Sequence, residues 1–281
     1  KMFTDHMVLQ RDKPIHIYGT GSNGESVTVT FAGQSISTTV IAGKWSVYVE
    51  ALTFNTTAQP LTVQGNNTIT LSDILIGDVW VLGGQSNMHR GIAKYSDLKP
   101  DTINNPLIRM VMLDFNPKQP AGPINDINLA YGTTSWQPAT FSAGGDAANI
   151  TKNISATGLY FALELQPVLG IPIGIIGVYR GATRAECWTP KATLENDAEL
   201  QYYLDNYIPN DIKKTSSWLY NAIIHPITPF SIKGVLWYQG ESNSQAPYEH
   251  GILFPKMIKA WRAAFNQGDF PFIFAQLASY K

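Results

Sequence analysis

Charge is scarce in this sequence. Asp, Glu, Lys and Arg make up 15% of the 281 residues, against about 25% in an ordinary soluble domain. The formal net charge is −1 and no basic stripe is visible, so nucleic-acid binding has no electrostatic footing. Cysteine is scarcer still. Cys187 is the only one, which excludes an intrachain disulfide and a cysteine-rich metal site. It sits between Glu186 and Trp188 with no His or Lys beside it, so a buried inert thiol is expected. No apolar run approaches the roughly 20 residues that a membrane-spanning helix needs. No His/Cys spacing supplies the convergent ligands of a zinc site, and neither a metal nor an organic cofactor is implied.

What is present points elsewhere. Apolar residues reach 44%, enough to bury a real core. Tyr, Trp, Asn, Thr and Gln supply much of the remaining polarity, a mix that suits contact with neutral, hydroxyl-rich ligands. The chain opens at Lys1 rather than at an initiator Met. It reads as a processed product whose signal peptide has been removed, and a secreted or periplasmic location is expected. Sequons at Asn55, Asn66, Asn149 and Asn153 matter only in a host that glycosylates.

The pattern changes near Leu75. Before it, short alternating runs at 15–18, 26–31, 34–40, 45–49, 61–64 and 68–71 are separated by Gly- and Asn-rich turns. Period-two alternation at that spacing predicts a small antiparallel β-sandwich over residues 1–75, with a packing or carbohydrate-contacting role. After it, apolar runs at 78–82, 109–113, 173–178, 234–238 and 272–276 alternate with helical patterns at 155–166, 216–224 and 248–265. That order predicts an α/β domain over 76–281: a doubly wound parallel sheet with helices on both faces, whose ligands bind at the carboxyl ends of the strands. Residues 116–145, rich in Pro, Gly, Asn and Ser, are expected to form a long surface loop along that edge. The last strand is expected to leave a sheet edge uncovered.

Three segments place polar residues directly after a buried strand. The first is Gly83-Gly84-Gln85-Ser86-Asn87-Met88. Two glycines permit a tight turn, and Ser86 stands where a nucleophile elbow puts its hydroxyl; alone, the segment reads better as a helix N-cap, since Gly-Gly-x-Ser is common. The second is Tyr179-Arg180-Gly181-Ala182-Thr183-Arg184, followed by Glu186 and Trp188. Gly181 offers a backbone N–H to developing negative charge. Arg184 is placed to hold a substrate oxygen or to pair with Glu186 or Glu241, and Arg180 reads as one half of a structural ion pair. The third is Trp237-Tyr238-Gln239-Gly240-Glu241-Ser242-Asn243. The Gln239 amide is a candidate oxyanion donor, because it carries a dipole without a charge to neutralise. Glu241 is either a general base or, preferably, a buried carboxylate that orients Arg184 or backbone N–H groups.

Together, Gly84-Gln85-Ser86-Asn87-Met88, Gly181-Ala182-Thr183-Arg184-Ala185-Glu186-Cys187-Trp188-Thr189 and Trp237-Tyr238-Gln239-Gly240-Glu241-Ser242-Asn243 resemble the signature blocks of the sialate O-acetylesterase family. That family belongs to the SGNH hydrolases and includes bacterial acetylxylan esterases. Asp5-His6-Met7-Val8-Leu9-Gln10-Arg11 and Gly43-Lys44-Trp45 are similar to its β-rich N-terminal part, and residues 219–234 to the approach to its third block, so the likeness spans nearly the whole chain. The resemblance implies an SGNH-hydrolase (flavodoxin-like) sheet and a serine esterase that removes acetyl groups from carbohydrates. Ser86 is then the nucleophile. Its own N–H, the Gly181 N–H and the Gln239 side chain form the oxyanion hole, with Arg184, Glu241 and Asn243 in substrate-binding or structural roles.

The family's general base is a histidine in an Asp-x-x-His motif, and this sequence contains no such motif. None of the 5 histidines fits the role by context. His6 and His16 lie in the β-rich part. His89 is expected to point away from Ser86, His225 to pack between elements, and His250 to be solvated at a helix start. The base and its Asp are therefore expected outside these residues, on a C-terminal part or on a second polypeptide. Two competing readings remain. One is an inactive carbohydrate-binding protein of the same fold. The other is an SGNH lipase or thioesterase, which needs an apolar acyl groove that these polar, aromatic-rich loops do not suggest.

Overall fold

A computed structural model describes residues 1–92, 102–113, 118–127, 135–142 and 155–278. The first strands, β1 (Val8–Gln10), β2 (Ile15–Thr20), β3 (Ser26–Phe31), β4 (Gln34–Thr39), β5 (Lys44–Val49) and β6 (Asn55–Gln64), follow the alternating runs of the sequence. They lead into β7 (Thr68–Gly84), the longest strand among the described residues. Beyond it come α1 (Ser86–His89), β8 (Thr102–Met112), β9 (Gln137–Ser142), α2 (Ala156–Leu169) and β10 (Ile173–Gly177). The chain continues with α3 (Lys191–Glu195), α4 (Gln201–Asp205), β11 (Gly234–Tyr238), α5 (Pro247–Phe265) and β12 (Phe272–Phe274).

β7 belongs to both halves of the pattern. Its first part pairs antiparallel with β6, which continues through β3 to β4. Its second part lies parallel between β10 and β11. β8 flanks β10, β12 flanks β11, and β9 closes the far side antiparallel to β8. The parallel order is therefore β8-β10-β7-β11-β12. Burial follows the change of partners: β7 starts exposed at Thr68 and is continuously buried from Ile74 to Gly84. Asp73, at φ 57°, bends the strand at the transition. The Arg109 guanidinium forks onto its carboxylate at 2.6 and 3.1 Å, and the His6 ring bonds it at 2.6 Å. The opening segment is tied in the same way, with Arg11 forked onto buried Asp78 at 2.9 and 3.1 Å.

Alternation along the strands sorts the core. Trp80, Leu82, Met110, Ile175 and Leu236 pack with Leu159 and Ala162 of α2. Val79, Val81, Val111, Ile176, Val235 and Trp237 pack with Met257 and Trp261 of α5. The sheet thus carries a helix on each face, as the sequence predicted. The second cluster also contains Ile15, Val29, Phe31, Val47 and Leu61, so the β-rich residues share its core. The helix ends are set locally. Ser155 accepts from the Gly158 N–H at 3.1 Å to cap α2, which stops at Gly170 with φ 66°. Pro247 opens α5, and Asn266 closes it at φ 51°.

Two expectations change. The 216–224 helix starts at 218 and runs on to 227, but it changes type on the way, with a π-helical stretch at Tyr220–Ile224 and a 3₁₀ turn at His225–Ile227. Ser217 at φ 63° blocks an earlier start. Of the 116–145 stretch, 116–117, 128–134 and 143–145 lie outside the described residues, yet the rest is not simply surface loop. Ile127 and Trp136 are buried, Trp136 donates its indole N–H to the Met2 carbonyl at 3.1 Å, and 137–142 forms β9. At the other side β12 is an edge strand, with Ile273 and Phe274 about half exposed.

The approach of β11 to β7 makes a sharp test. A Cβ on Gly84, whose φ is +135°, would lie 2.2 Å from the Tyr238 carbonyl oxygen. Gly84→Ala is expected to destabilise the protein by about 3 kcal/mol or more in urea melts. Gly251→Ala, on an open face of α5 with nothing within 4 Å, is expected to stabilise it by up to about 1 kcal/mol.

Candidate active site

Because β10, β7 and β11 are neighbours in register, the three polar segments leave the sheet side by side. Ile176 and Gly177 stand opposite Val81 and Leu82, and Trp237 and Tyr238 opposite Gly83 and Gly84. Backbone bonds lock the turns: the Gln85 N–H donates to Tyr238 O at 2.8 Å, and the Arg180 N–H to Gly84 O at 3.0 Å. Gln85, not Ser86, is the N-cap of α1. Ser86 is the first helical residue, half-buried, and among the described residues its hydroxyl takes part in no hydrogen bond. The helix-cap reading of Ser86 is thereby removed. As a first-turn residue, Ser86 has no intrahelical acceptor for its N–H.

Gly181 is brought against Ser86. A Cβ on Gly181 would stand 3.9 Å from the Ser86 Cα and 4.0 Å from its Cβ, ordinary contact distances that put the second segment beside Ser86. His89 does not point away as expected. Its Nδ1 accepts the Gly181 N–H at 3.3 Å, and its ring packs on Tyr179 with centroids 5.6 Å apart. A ring nitrogen that accepts carries no proton, so any proton on neutral His89 sits on Nε2. The Gly181 N–H, read from the sequence as an open oxyanion donor, therefore has a partner in this state.

Gln239 departs further from expectation. It is buried, and its Nε2 donates to Thr183 O at 3.1 Å and to Asn243 Oδ1 at 2.7 Å. Both amide hydrogens are thus engaged inside the protein rather than presented beside Ser86. Asn243 Oδ1 also accepts the Ala185 N–H at 2.9 Å, and Asn243 Nδ2 donates to Glu186 Oε2 at 2.9 Å. Arg184 Nη1 lies 3.7 Å from Glu186 Oε1, choosing that carboxylate rather than Glu241. Glu241 instead accepts from Asn87 Nδ2 at 2.6 Å, next to the nucleophile candidate. Its Oε2, like the Gln239 Oε1, is buried without a hydrogen-bond partner among the described residues.

Sequence reasoning passed over Gln85. Its Oε1 accepts the Ser242 N–H at 3.1 Å and the Gly240 N–H at 3.5 Å, clamping the third segment to the first. The only sequence signal was an amide between glycines and a serine at a strand end. His250 is not solvated: it stacks on Phe254 at 5.7 Å and approaches Gly240, and burial holds its pKa below the usual value. His225 bonds the Ile124 carbonyl at 2.8 Å, and His16 the Pro229 carbonyl at 3.2 Å. Cys187 is fully buried and burial raises its thiol pKa, in keeping with an inert role. Among the described residues no three His, Cys, Asp or Glu side chains converge as a metal site, and no helix is long and apolar enough to cross a membrane.

Burial pushes the Glu186 carboxyl above its ordinary range, against the Asn243 hydrogen bond and Arg184, which favour the anion. A carboxyl whose pKa rises on folding stabilises the fold below its unfolded pKa and loses that contribution as pH climbs through the raised value. Glu186→Gln removes this dependence. In urea melts from about pH 4 to about pH 8, the variant is expected to gain on the parent as pH rises; parallel curves would show that the carboxylate is fully compensated.

A family model for carbohydrate esterases, the sialic acid-specific acetylesterases, matches residues 76–281. The sialate O-acetylesterases of Pongo abelii and Homo sapiens are each 30% identical to this chain, over 97% of its length and 55% of theirs. The crystal structure of a carbohydrate acetylesterase from Xanthomonas citri superposes with a TM-score of 0.77 at 29% identity, covering 97% of this chain and 58% of that one. The chain thus spans about half the length of the curated relatives it matches. With the family match covering most of its residues, the chain belongs to the sialic acid-specific acetylesterase family of carbohydrate esterases.

Proposed function

We propose that this chain carries the nucleophile of a carbohydrate O-acetylesterase, and that Ser86 is that nucleophile. The observation that carries the reading is the Ser86 hydroxyl, free of hydrogen bonds among the described residues, at the end of the Gly83-Gly84-Gln85 turn with Gly181 beside it. Family membership and the Xanthomonas citri carbohydrate acetylesterase support the substrate class. In the first step a base takes the Ser86 proton as Oγ bonds to the acetyl carbonyl carbon. The sugar oxygen then leaves with a proton, giving an acetyl-serine. Water attacks that ester in the second step, releasing acetate and restoring Ser86. The developing oxyanion is received by the Ser86 N–H and the Gly181 N–H. A charge-assisted bond is roughly twice as strong as a neutral one, so an oxyanion draws the Gly181 donor away from His89.

The base is proposed to be a histidine outside these 281 residues, in an Asp-x-x-His on a further part of the same protein or on a second polypeptide. The missing motif and the greater length of the relatives support this. We assign Gln239 to holding the second and third segments together through Thr183 and Asn243, with Arg184 and Glu186 extending that support. Residues 1–75 are read as a β-rich accessory part and 76–281 as the esterase part. A secreted or periplasmic location suits a protein that acts on acetylated glycans, and both sialate and xylan esters remain within the class.

Ser86→Ala in the complete protein is expected to abolish acetate release with an unchanged thermal midpoint; activity within a few-fold of the parent would sink the assignment. Gln239→Ala is expected to lower kcat by about 10²-fold together with the thermal midpoint. A loss of kcat alone, with midpoint and KM unchanged, would return Gln239 to the oxyanion hole as a direct donor.

A further inference from the structure

A cleft of about 470 Å³ lies away from Ser86, where β2 and β5 of the β-rich part meet the 228–231 turn and the end of α5. That volume is in the range of small-molecule sites. The 228–231 turn leads into the start of β11, whereas Gln239 follows its other end. Five residues of strand separate the two by about 17 Å, so the cleft opens at the amino-terminal end of the parallel sheet and the candidate active site at its carboxyl end.

The lining is chemically specific. Tyr48 and His16 stack with centroids 4.5 Å apart and planes 9° apart, and Tyr48 is 60% exposed. A flat, fixed aromatic face of this kind suits the C–H face of a pyranose ring. The Pro229 carbonyl can only accept, so the 3.2 Å bond places the proton on His16 Nδ1. Burial lowers the His16 pKa, leaving Nε2 as an acceptor for a sugar hydroxyl. Lys13 Nζ donates to Ile232 O at 3.0 Å, and among the described residues its two further donors have no hydrogen-bond partner. Among the described residues no Asp or Glu lines the cleft. Burial lowers the Lys13 pKa and neighbouring Lys233 lowers it further, while Asp78, which Arg11 already forks, acts in the opposite sense.

We propose that this cleft is a second glycan-binding site, and that it takes a sugar residue carrying a carboxylate. Tyr48 and His16 supply the ring platform and Lys13 the counter-charge. The site would anchor an acidic glycan away from the reacting ester. It rests on the reading of the chain as carbohydrate-active, but its test contains no ester and so stands or falls apart from the esterase assignment.

The test is ligand titration of the full chain, followed by amide chemical shifts, with sialyllactose and lactose as the probes. Sialyllactose is expected to shift resonances of the 45–49, 229–231 and 264–267 segments and to bind about tenfold more tightly than lactose. Tyr48→Ala, at an exposed position, is expected to weaken sialyllactose about tenfold. Lys13→Met is expected to bring sialyllactose down to the lactose level while sparing lactose itself. Equal binding of the two sugars by the parent would overturn the proposal. So would sialyllactose shifts confined to residues 84–89 and 180–184, or affinity untouched in both variants.

Discussion

Everything at the candidate active site depends on one close backbone contact, that between Gly83-Gly84 and Trp237-Tyr238. β7 is the centre of the parallel sheet, and its last two residues have no side chains to hold β11 off. A Cβ on Gly83 would meet the Trp237 ring at 2.7 Å, and one on Gly84 the Tyr238 carbonyl at 2.2 Å. With both strands pressed together, the Gln85 N–H reaches Tyr238 O and the Gln85 side chain reaches two N–H groups of the next turn. Ser86 then follows at the head of a short helix.

The support behind that contact is a chain of neutral amides rather than of ion pairs. Gln85, Gln239 and Asn243 are all buried, and each bridges two segments. Amides suit the place, because each provides both donor and acceptor without the several kcal/mol that a buried unpaired charge loses. Each such bond adds only about 1 kcal/mol net, but leaving one partner unsatisfied costs about 1–3 kcal/mol. The arrangement is therefore more specific than it is strong. The Glu186 carboxyl, which accepts from Asn243 and faces Arg184, is held within it at a raised pKa.

The β-rich residues are more than a separate attachment. Their apolar side chains share a cluster with the α5 face of the sheet, and β7 carries the chain without a break from one pairing partner to the next. Arg11 on Asp78 and Arg109 on Asp73 pin the two ends of this transition. The change of character near Leu75 is real as a change of partners and of exposure, though it falls inside a strand instead of between elements.

Much of this was legible from residue order alone. Period-two runs, buried apolar pentamers and the Gly-Gly-Gln-Ser turn are local signals, because strand alternation and turn chemistry depend on neighbours within a few positions. They placed most strands, α2 and α5, and the three strand ends that carry the polar residues. The order β8-β10-β7-β11-β12, and with it the placing of the three polar strand ends side by side, required the folded sheet. So did the direction of each polar group. Gln239 turned inward to Thr183 and Asn243, His89 turned to Gly181, and Trp136 was drawn into the core from a stretch that composition marks as loop. A side chain's type states what it can donate or accept, but its partner is whichever group packing leaves within 3 Å once water is excluded, and only the tertiary structure decides that.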